Sequence, residues 1–260
     1  MAFRALLIIA DIGGYTRFMR VHRINLAHAQ YIVGRLLEAT IDAAGARWKL
    51  AKLEGDAAFF YARQAEGTGL DGGRLRDQLV AIRRAFHQKR EQLVAERMCS
   101  CDACMQSGNL TLKFVAHAGE VALQKVKRLT ELAGVDVILV HRLLKNTVPV
   151  AEYVLMSEEV SAALSAAGVT ADPTEVEEDL EGLGRVRTFY LELDGLAARE
   201  APERPPRASL PARAWHWFRM TLRSLPYFIG VRQACRGFRH LGEITGDPAP
   251  AALPPAPAEK

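Results

Sequence analysis

Six consecutive apolar residues, Ala5-Leu-Leu-Ile-Ile-Ala10, run directly into Asp11-Ile-Gly-Gly-Tyr-Thr16. An unbroken apolar run of this kind reads as a strand buried on both faces. The carboxylate then falls where the strand leaves the core, and the two glycines let a ligand approach the backbone. A second acid follows glycine in Lys52-Leu-Glu-Gly-Asp56, set in a hairpin turn between two runs of strand-forming residues. Two carboxylates placed like this point to a metal–nucleotide site, because hard divalent cations take oxygen ligands and offset phosphate charge.

A chain of 260 residues, 49% of them hydrophobic, buries a sizeable core and is expected to form one main domain with an appendage. The run from Leu6 to Ala10 is too short to span a membrane and stops at Asp11, so no signal peptide is expected and the cytoplasm is the default location. Charge is uneven: residues 201–260 carry nine Arg or Lys and four Asp or Glu, a balance of +5 against +4 for the whole chain. Attraction to acidic partners therefore rests with the C-terminal part.

Periodicity places a helix over Ile32, Val33, Leu36, Leu37, Ile41 and Ala44 with Gly45 as its stop, and a second over Leu75, Leu79, Ile82, Phe86 and Leu93. Strands are expected over 47–53 and 57–62, over 110–121 with Gly119 as a turn, over 153–156 and over 186–193. Short helices fall at 135–145 and 158–164. The resulting βαββαβ order matches an α+β, ferredoxin-like core over residues 1–195. Prolines 202, 205, 206 and 211 mark a linker over 196–212. A basic aromatic helical segment follows at 213–241, and a Pro/Ala-rich tail at 242–260 reads as disordered.

In order and spacing, Asp11-Ile-Gly-Gly-Tyr-Thr16, Lys52-Leu-Glu-Gly-Asp56, Leu112-Lys-Phe-Val-Ala-His-Ala-Gly119 and Gly134-Val-Asp-Val-Ile-Leu-Val-His-Arg142 resemble the motifs of class III nucleotidyl cyclases. A bacterial cyclase-like family of unknown function that also carries a cysteine cluster is more similar still. The resemblance covers roughly residues 3–193. It implies that Asp11 and Asp56 hold Mg²⁺ or Mn²⁺, and that Gly13, Gly14 and Thr16 belong to the segment binding the triphosphate. Lys52 and Glu131 would read the base, favouring ATP, and Arg142 would support the transferring phosphate with forked hydrogen bonds. In that family the metal-binding acids and the base-reading residues face each other from different subunits, so a homodimer is expected. Two departures stand out. Ile138 occupies the place of an asparagine that orients the ribose, with Asn146 one turn beyond Arg142 as a substitute. Glu181-Gly-Leu-Gly184 replaces a lysine-bearing hairpin, leaving Arg185 or Arg187 to supply the charge.

Cys99-Ser-Cys101-Asp-Ala-Cys104 puts three thiols within six residues. The loop reads either as three ligands for structural Zn²⁺, with His87, His117, Cys235 or a residue from another subunit as the fourth, or as a reduced or redox-responsive thiol loop. Arginines and aromatics mixed over 213–241 suit an anionic membrane surface, a protein partner, or docking on the chain's own domain. Nucleic acid is disfavoured, because no binding motif accompanies the charge. Three functions are thus expected to compete: a signalling cyclase making cyclic AMP from ATP, a catalytically degenerate nucleotide- or metal-binding regulatory module, and a zinc-containing adaptor.

Overall fold

The computed structural model describes residues 2–21, 26–65, 67–96, 102–196, 209–229 and 231. The elements are β1 (Ala2–Gly13), α1 (Tyr15–Val21), α2 (Leu26–Ala44), β2 (Lys49–Glu54), β3 (Ala57–Arg63), α3 (Gly72–Ala95), α4 (Asp102–Gln106), β4 (Thr111–Val126) and β5 (Leu129–Ala133). They continue with α5 (Val135–Arg142), β6 (Tyr153–Met156), α6 (Glu158–Ala166), β7 (Thr174–Leu180), β8 (Gly184–Glu192) and α7 (Leu210–Phe228).

β1 is central because both of its faces are covered. Leu6, Ile8, Ala10 and Ile12 enter one core with α2 and α3, while Ala5, Leu7 and Ile9 enter a second core with Val137, Val140 and Leu143 of α5 and the residue after it. Alternation along a pleated strand sends neighbours to opposite faces, so an unbroken apolar run needs two cores. The sheet order is β2-β3-β1-β4-β6-β8-β7, with β5 folded back on β4. Its first four strands are antiparallel and form the ferredoxin-like unit. β4 and β6 run parallel, joined by a crossover through α5. On the other face α3 is capped by Asp71, whose side chain accepts from Arg74 N at 3.0 Å, and turns Leu75, Leu79, Ile82, Phe86 and Leu93 inward.

The α+β fold with its ferredoxin-like core is as expected, but the strand inventory differs in three places. β4 does not turn at Gly119; it continues to Val126, and the chain reverses after it at Lys127, where φ is +54°. Glycine is needed at 119 because a Cβ there would lie 2.3 Å from the Asp136 carboxyl carbon. β5 and β7 were unexpected. β7, Thr-Glu-Val-Glu-Glu-Asp-Leu, is an acidic strand paired, among the described residues, with β8 alone, and its buried Glu178 accepts from the Thr147 amide and hydroxyl, each at 2.9 Å.

α7 packs on α2, with the Arg219 guanidinium 5.7 Å from the Tyr31 ring centroid. It begins at Leu210, inside the expected linker, and continues past Pro226. The rest of that linker, at 197–208, and the expected disordered tail lie outside the described residues.

Candidate functional site

Strand register builds the site. Asp11 on β1 stands opposite Ala57 on β3 and Lys113 on β4, and Asp56 immediately precedes Ala57 in the tight turn after β2. Gly55 makes that turn with φ +65°, a conformation that a side chain would strain. The Ile12 amide donates to the Asp56 carbonyl at 3.3 Å, tying the turn to the end of β1. The two acids, 45 positions apart in sequence, are consequently brought side by side.

Their electrostatics show how close they are. Burial pushes the Asp56 carboxyl up to about 7, and the adjacent Asp11 charge together with a hydrogen bond between the two groups adds to the shift. The Lys113 ammonium stands 3.0 Å from Asp11 Oδ2 and opposes it. Burial alone would lower Lys113, but the charges of Asp11, Tyr153 and Asp56 and its hydrogen bond to Asp11 raise it. One ammonium thus stands against two carboxyl groups. Tyr15 borders the pair: burial, then the Asp56 charge, raises its phenol. Such an oxygen-donor pair, short of one positive charge, fits a hard divalent cation completed by water and phosphate oxygens.

Gly13 and Gly14 have structural reasons of their own. A Cβ at Gly13 would fall 2.1 Å from Thr111 Oγ1, and Gly14 adopts φ +81° where its carbonyl accepts from Phe18 N at 2.9 Å. Thr16 is exposed in the first turn of α1.

A separate cavity of about 600 Å³ is lined by Lys52, Ile138, His141, Arg142, Lys145 and Glu181, among others. Asp11 and Asp56 are not in its lining. Lys52 Nζ lies 2.5 Å from Glu54, whose carboxylate also contacts His141 Nε2 at 2.9 Å. Burial would raise Glu54, but Lys52 and His141 more than offset it and hold the carboxyl low. The other ring nitrogen of His141 faces the Val137 carbonyl at 2.7 Å, so both nitrogens meet acceptors. Arg142 Nη1 donates to Glu181 at 3.3 Å.

Other expected members lie elsewhere. Glu131 is exposed on β5 opposite Gln124, and the partner that Lys52 meets is Glu54. Asn146, the expected substitute for the asparagine replaced by Ile138, is engaged within its own loop. Its side chain donates to the Leu143 carbonyl at 2.7 Å and accepts from Tyr153 Oη at 2.8 Å and the Val148 amide at 3.2 Å. Arg185 and Arg187 are engaged on β7 and α6 by Glu177, Glu175 and Glu158. Cys104 is buried, whereas Cys99 and Cys101 lie outside the described residues. Sequence reasoning missed Lys113, Glu54 and His141. A lone lysine in the apolar run Leu112-Lys-Phe-Val-Ala was the available signal for the first.

The fold is that of class III nucleotidyl cyclase domains. The adenylyl cyclase CyaB from P. aeruginosa matches with a TM-score of 0.50 at 13% identity, covering 78% of this chain and 98% of that one. Adenylate cyclases from Trypanosoma brucei match at 0.50 and 17%, over 79% and 94% of the two chains. A bacterial light-regulated adenylyl cyclase matches at 0.52 and 12%, over 86% of this chain and 58% of that one. Likeness at such identities concerns fold alone.

By sequence, the chain belongs to the family of an uncharacterized protein of Mycobacterium tuberculosis, to which it is 45% identical over 218 residues, 84% of this chain and 99% of that protein. Residues 33–153 match the family described as "Protein of unknown function (DUF2652)". Among the described residues no helix is long and apolar enough to cross a membrane.

Proposed function

We propose that this protein binds a Mg²⁺– or Mn²⁺–nucleoside triphosphate between two copies of the chain and converts ATP to cyclic AMP and pyrophosphate. The observation that carries the reading is the strand register that sets Asp11 across from Ala57, next to Asp56, with the Lys113 ammonium as close counter-charge at 3.0 Å from Asp11. Asp11 and Asp56 hold the cation, which when bound supplies Lewis acidity toward the phosphates and the ribose 3′ hydroxyl. Arg142 meets phosphate oxygens after exchanging Glu181 for the ligand, and Lys52 with His141 bounds the base side of the cavity.

Two copies are required because the carboxyl pair and the Lys52–Arg142 cavity do not share a lining within one chain. Exposed apolar side chains supply a surface for the second copy: Leu53 on β2, Val126 and Leu129 on the β4–β5 hairpin, and Val135 and Ile138 on α5. β5 touches both β2 and α5, so these positions adjoin.

Purified protein incubated with each nucleoside triphosphate and Mn²⁺, with product identification, tests the reading. Cyclic AMP and pyrophosphate are expected, and both disappear in Asp11→Ala and Asp56→Ala. A second reading, a nucleotide-binding regulatory module without turnover, is favoured by Ile138 in the cavity wall and by the engagement of Lys52 and Arg142 with Glu54 and Glu181. Tight nucleotide binding with no product selects it. Absence of nucleotide binding in a zinc-containing protein selects the adaptor.

A further inference from the structure

The basic aromatic segment expected over 213–241 docks on its own domain yet keeps its apolar stripe outside. Residues 213–229 and 231 of it are described, and the remainder, Cys235 included, lies outside the described residues. α7 touches α2, where Arg219 lies over the Tyr31 ring, and the seam is polar: Arg35, Lys89, Gln92 and Glu96 line a cleft of about 200 Å³ beside Trp215 and Arg219. Leu210, Phe218, Leu222, Leu225 and Ile229 do not turn inward; they are 46% to 76% exposed. A surface helix of a globular domain buries its apolar stripe, so this one is inverted and its stripe calls for another cover.

At about 100° per residue, these five side chains fall within about 120° of arc. Trp217 and Trp215 stand at the two edges of the stripe, 49% and 61% exposed, and Arg213 and Arg219 follow outside them. The Trp215 and Phe218 rings stack with centroids 5.8 Å apart. Apolar residues bordered on each side by tryptophan and then by arginine match the layers of a membrane surface, from acyl chains through the interface to headgroup phosphate. Between Glu203 and Glu243 the chain carries eight arginines and no acid. A second copy set on this stripe would bring like charges together, whereas anionic headgroups complement them. Among the described residues no helix is long and apolar enough to cross a membrane, so α7 is suited to lie along one.

We propose that α7 is an interfacial helix that holds the protein on membranes bearing anionic phospholipids, with its apolar stripe in the acyl-chain boundary and Arg213 and Arg219 at the headgroup phosphates. The attachment does not rest on the function proposed for the carboxyl pair. α7 sits on α2, over the sheet face that carries the core of Leu6, Ile8 and Ile12, while the surface offered to a second copy includes α5 on the opposite face. A protein lying on lipid through α7 therefore keeps that surface free.

The test is binding of the full-length, nucleotide-free chain to phosphatidylcholine vesicles with and without phosphatidylglycerol, read by sedimentation and tryptophan emission. The remaining tryptophan, Trp48, is 9% exposed, so a blue shift on binding reports Trp215 and Trp217. Binding to the anionic vesicles is expected, with a blue shift and an affinity that falls as salt is raised. Leu222→Glu places a charge in the stripe at an exposed position and should weaken binding about 10-fold or more. Phe218→Glu repeats the change one turn away, and circular dichroism establishes that both variants are folded. Arg213→Gln should cost about 5-fold on anionic vesicles and nothing on neutral ones. Absence of vesicle binding overturns the proposal and leaves the stripe to a protein partner, as does binding that both glutamate variants retain. A lipid-free oligomer that Leu222→Glu dissociates assigns the stripe to a second copy and overturns it too.

Discussion

The Lys113 ammonium stands 3.0 Å from the Asp11 carboxylate, at the position of β4 that the strand register places directly across from it. Its positive charge opposes the repulsion between the two carboxyl groups that a divalent cation would relieve more fully.

Replacing it separates the two roles. Lys113→Met keeps the apolar stem and removes the charge, so the metal-free protein should lose about 1–3 kcal/mol of stability at pH 8. Mn²⁺ should bind several-fold more tightly once the competing ammonium is gone. Thermal unfolding and Mn²⁺ titration read the two effects, which have opposite signs.

Asp56 predicts a pH dependence of the metal-free protein. Its carboxyl is raised from 3.8 to about 7, so between these values the folded state binds more protons than the unfolded state. Stability from this group therefore falls as pH rises from about 4 to about 7 and is flat above. Asp56→Asn should remove the loss and stabilise the metal-free protein at pH 8 by about 1–2 kcal/mol, after allowance for solvent screening. Saturating Mn²⁺ should reverse the ranking, with the wild type ahead. Denaturation midpoints measured across this range check both signs.

Ile138 lines the cavity and is 49% exposed, so a polar replacement costs little packing. If the protein cyclises ATP, Ile138→Asn should raise turnover by about 10²-fold, the usual weight of one oriented transition-state donor. Cyclic AMP formation under saturating Mn²⁺–ATP measures it.

Gly119→Ala should destabilise the chain by about 1–3 kcal/mol. The added methyl would meet Asp136, whose carboxylate accepts from the Glu120 amide at 2.7 Å and contacts His117 Nε2 at 2.9 Å. Urea denaturation should show a lower midpoint with an unchanged slope.

Much of the fold was legible because it is written in local periodicity. The apolar stripe of α3, the stop of α2 at Gly45 (φ +69°) and the six-residue run inside β1 each follow from side-chain spacing and backbone stereochemistry within one segment. β7 was not legible, because an edge strand can carry four acids in seven residues when only two of its side chains need burial. The turn expected at Gly119 failed for a related reason: the glycine answers to Asp136, which is distant along the chain and adjacent in space.

The sequence by itself determined which residues bear chemistry: two aspartates beside glycine, a cluster of thiols, and lysine and arginine in cyclase-like spacing. Only the tertiary structure decided which of them meet. Antiparallel register across β3, β1 and β4 put Lys113 against the Asp11–Asp56 pair, and helix packing brought His28 to Cys104, whereas Glu131 was left exposed on a hairpin. Identity and spacing are properties of one segment, but proximity between segments is set by which faces the whole sheet must bury, and no single stretch of residues contains that information.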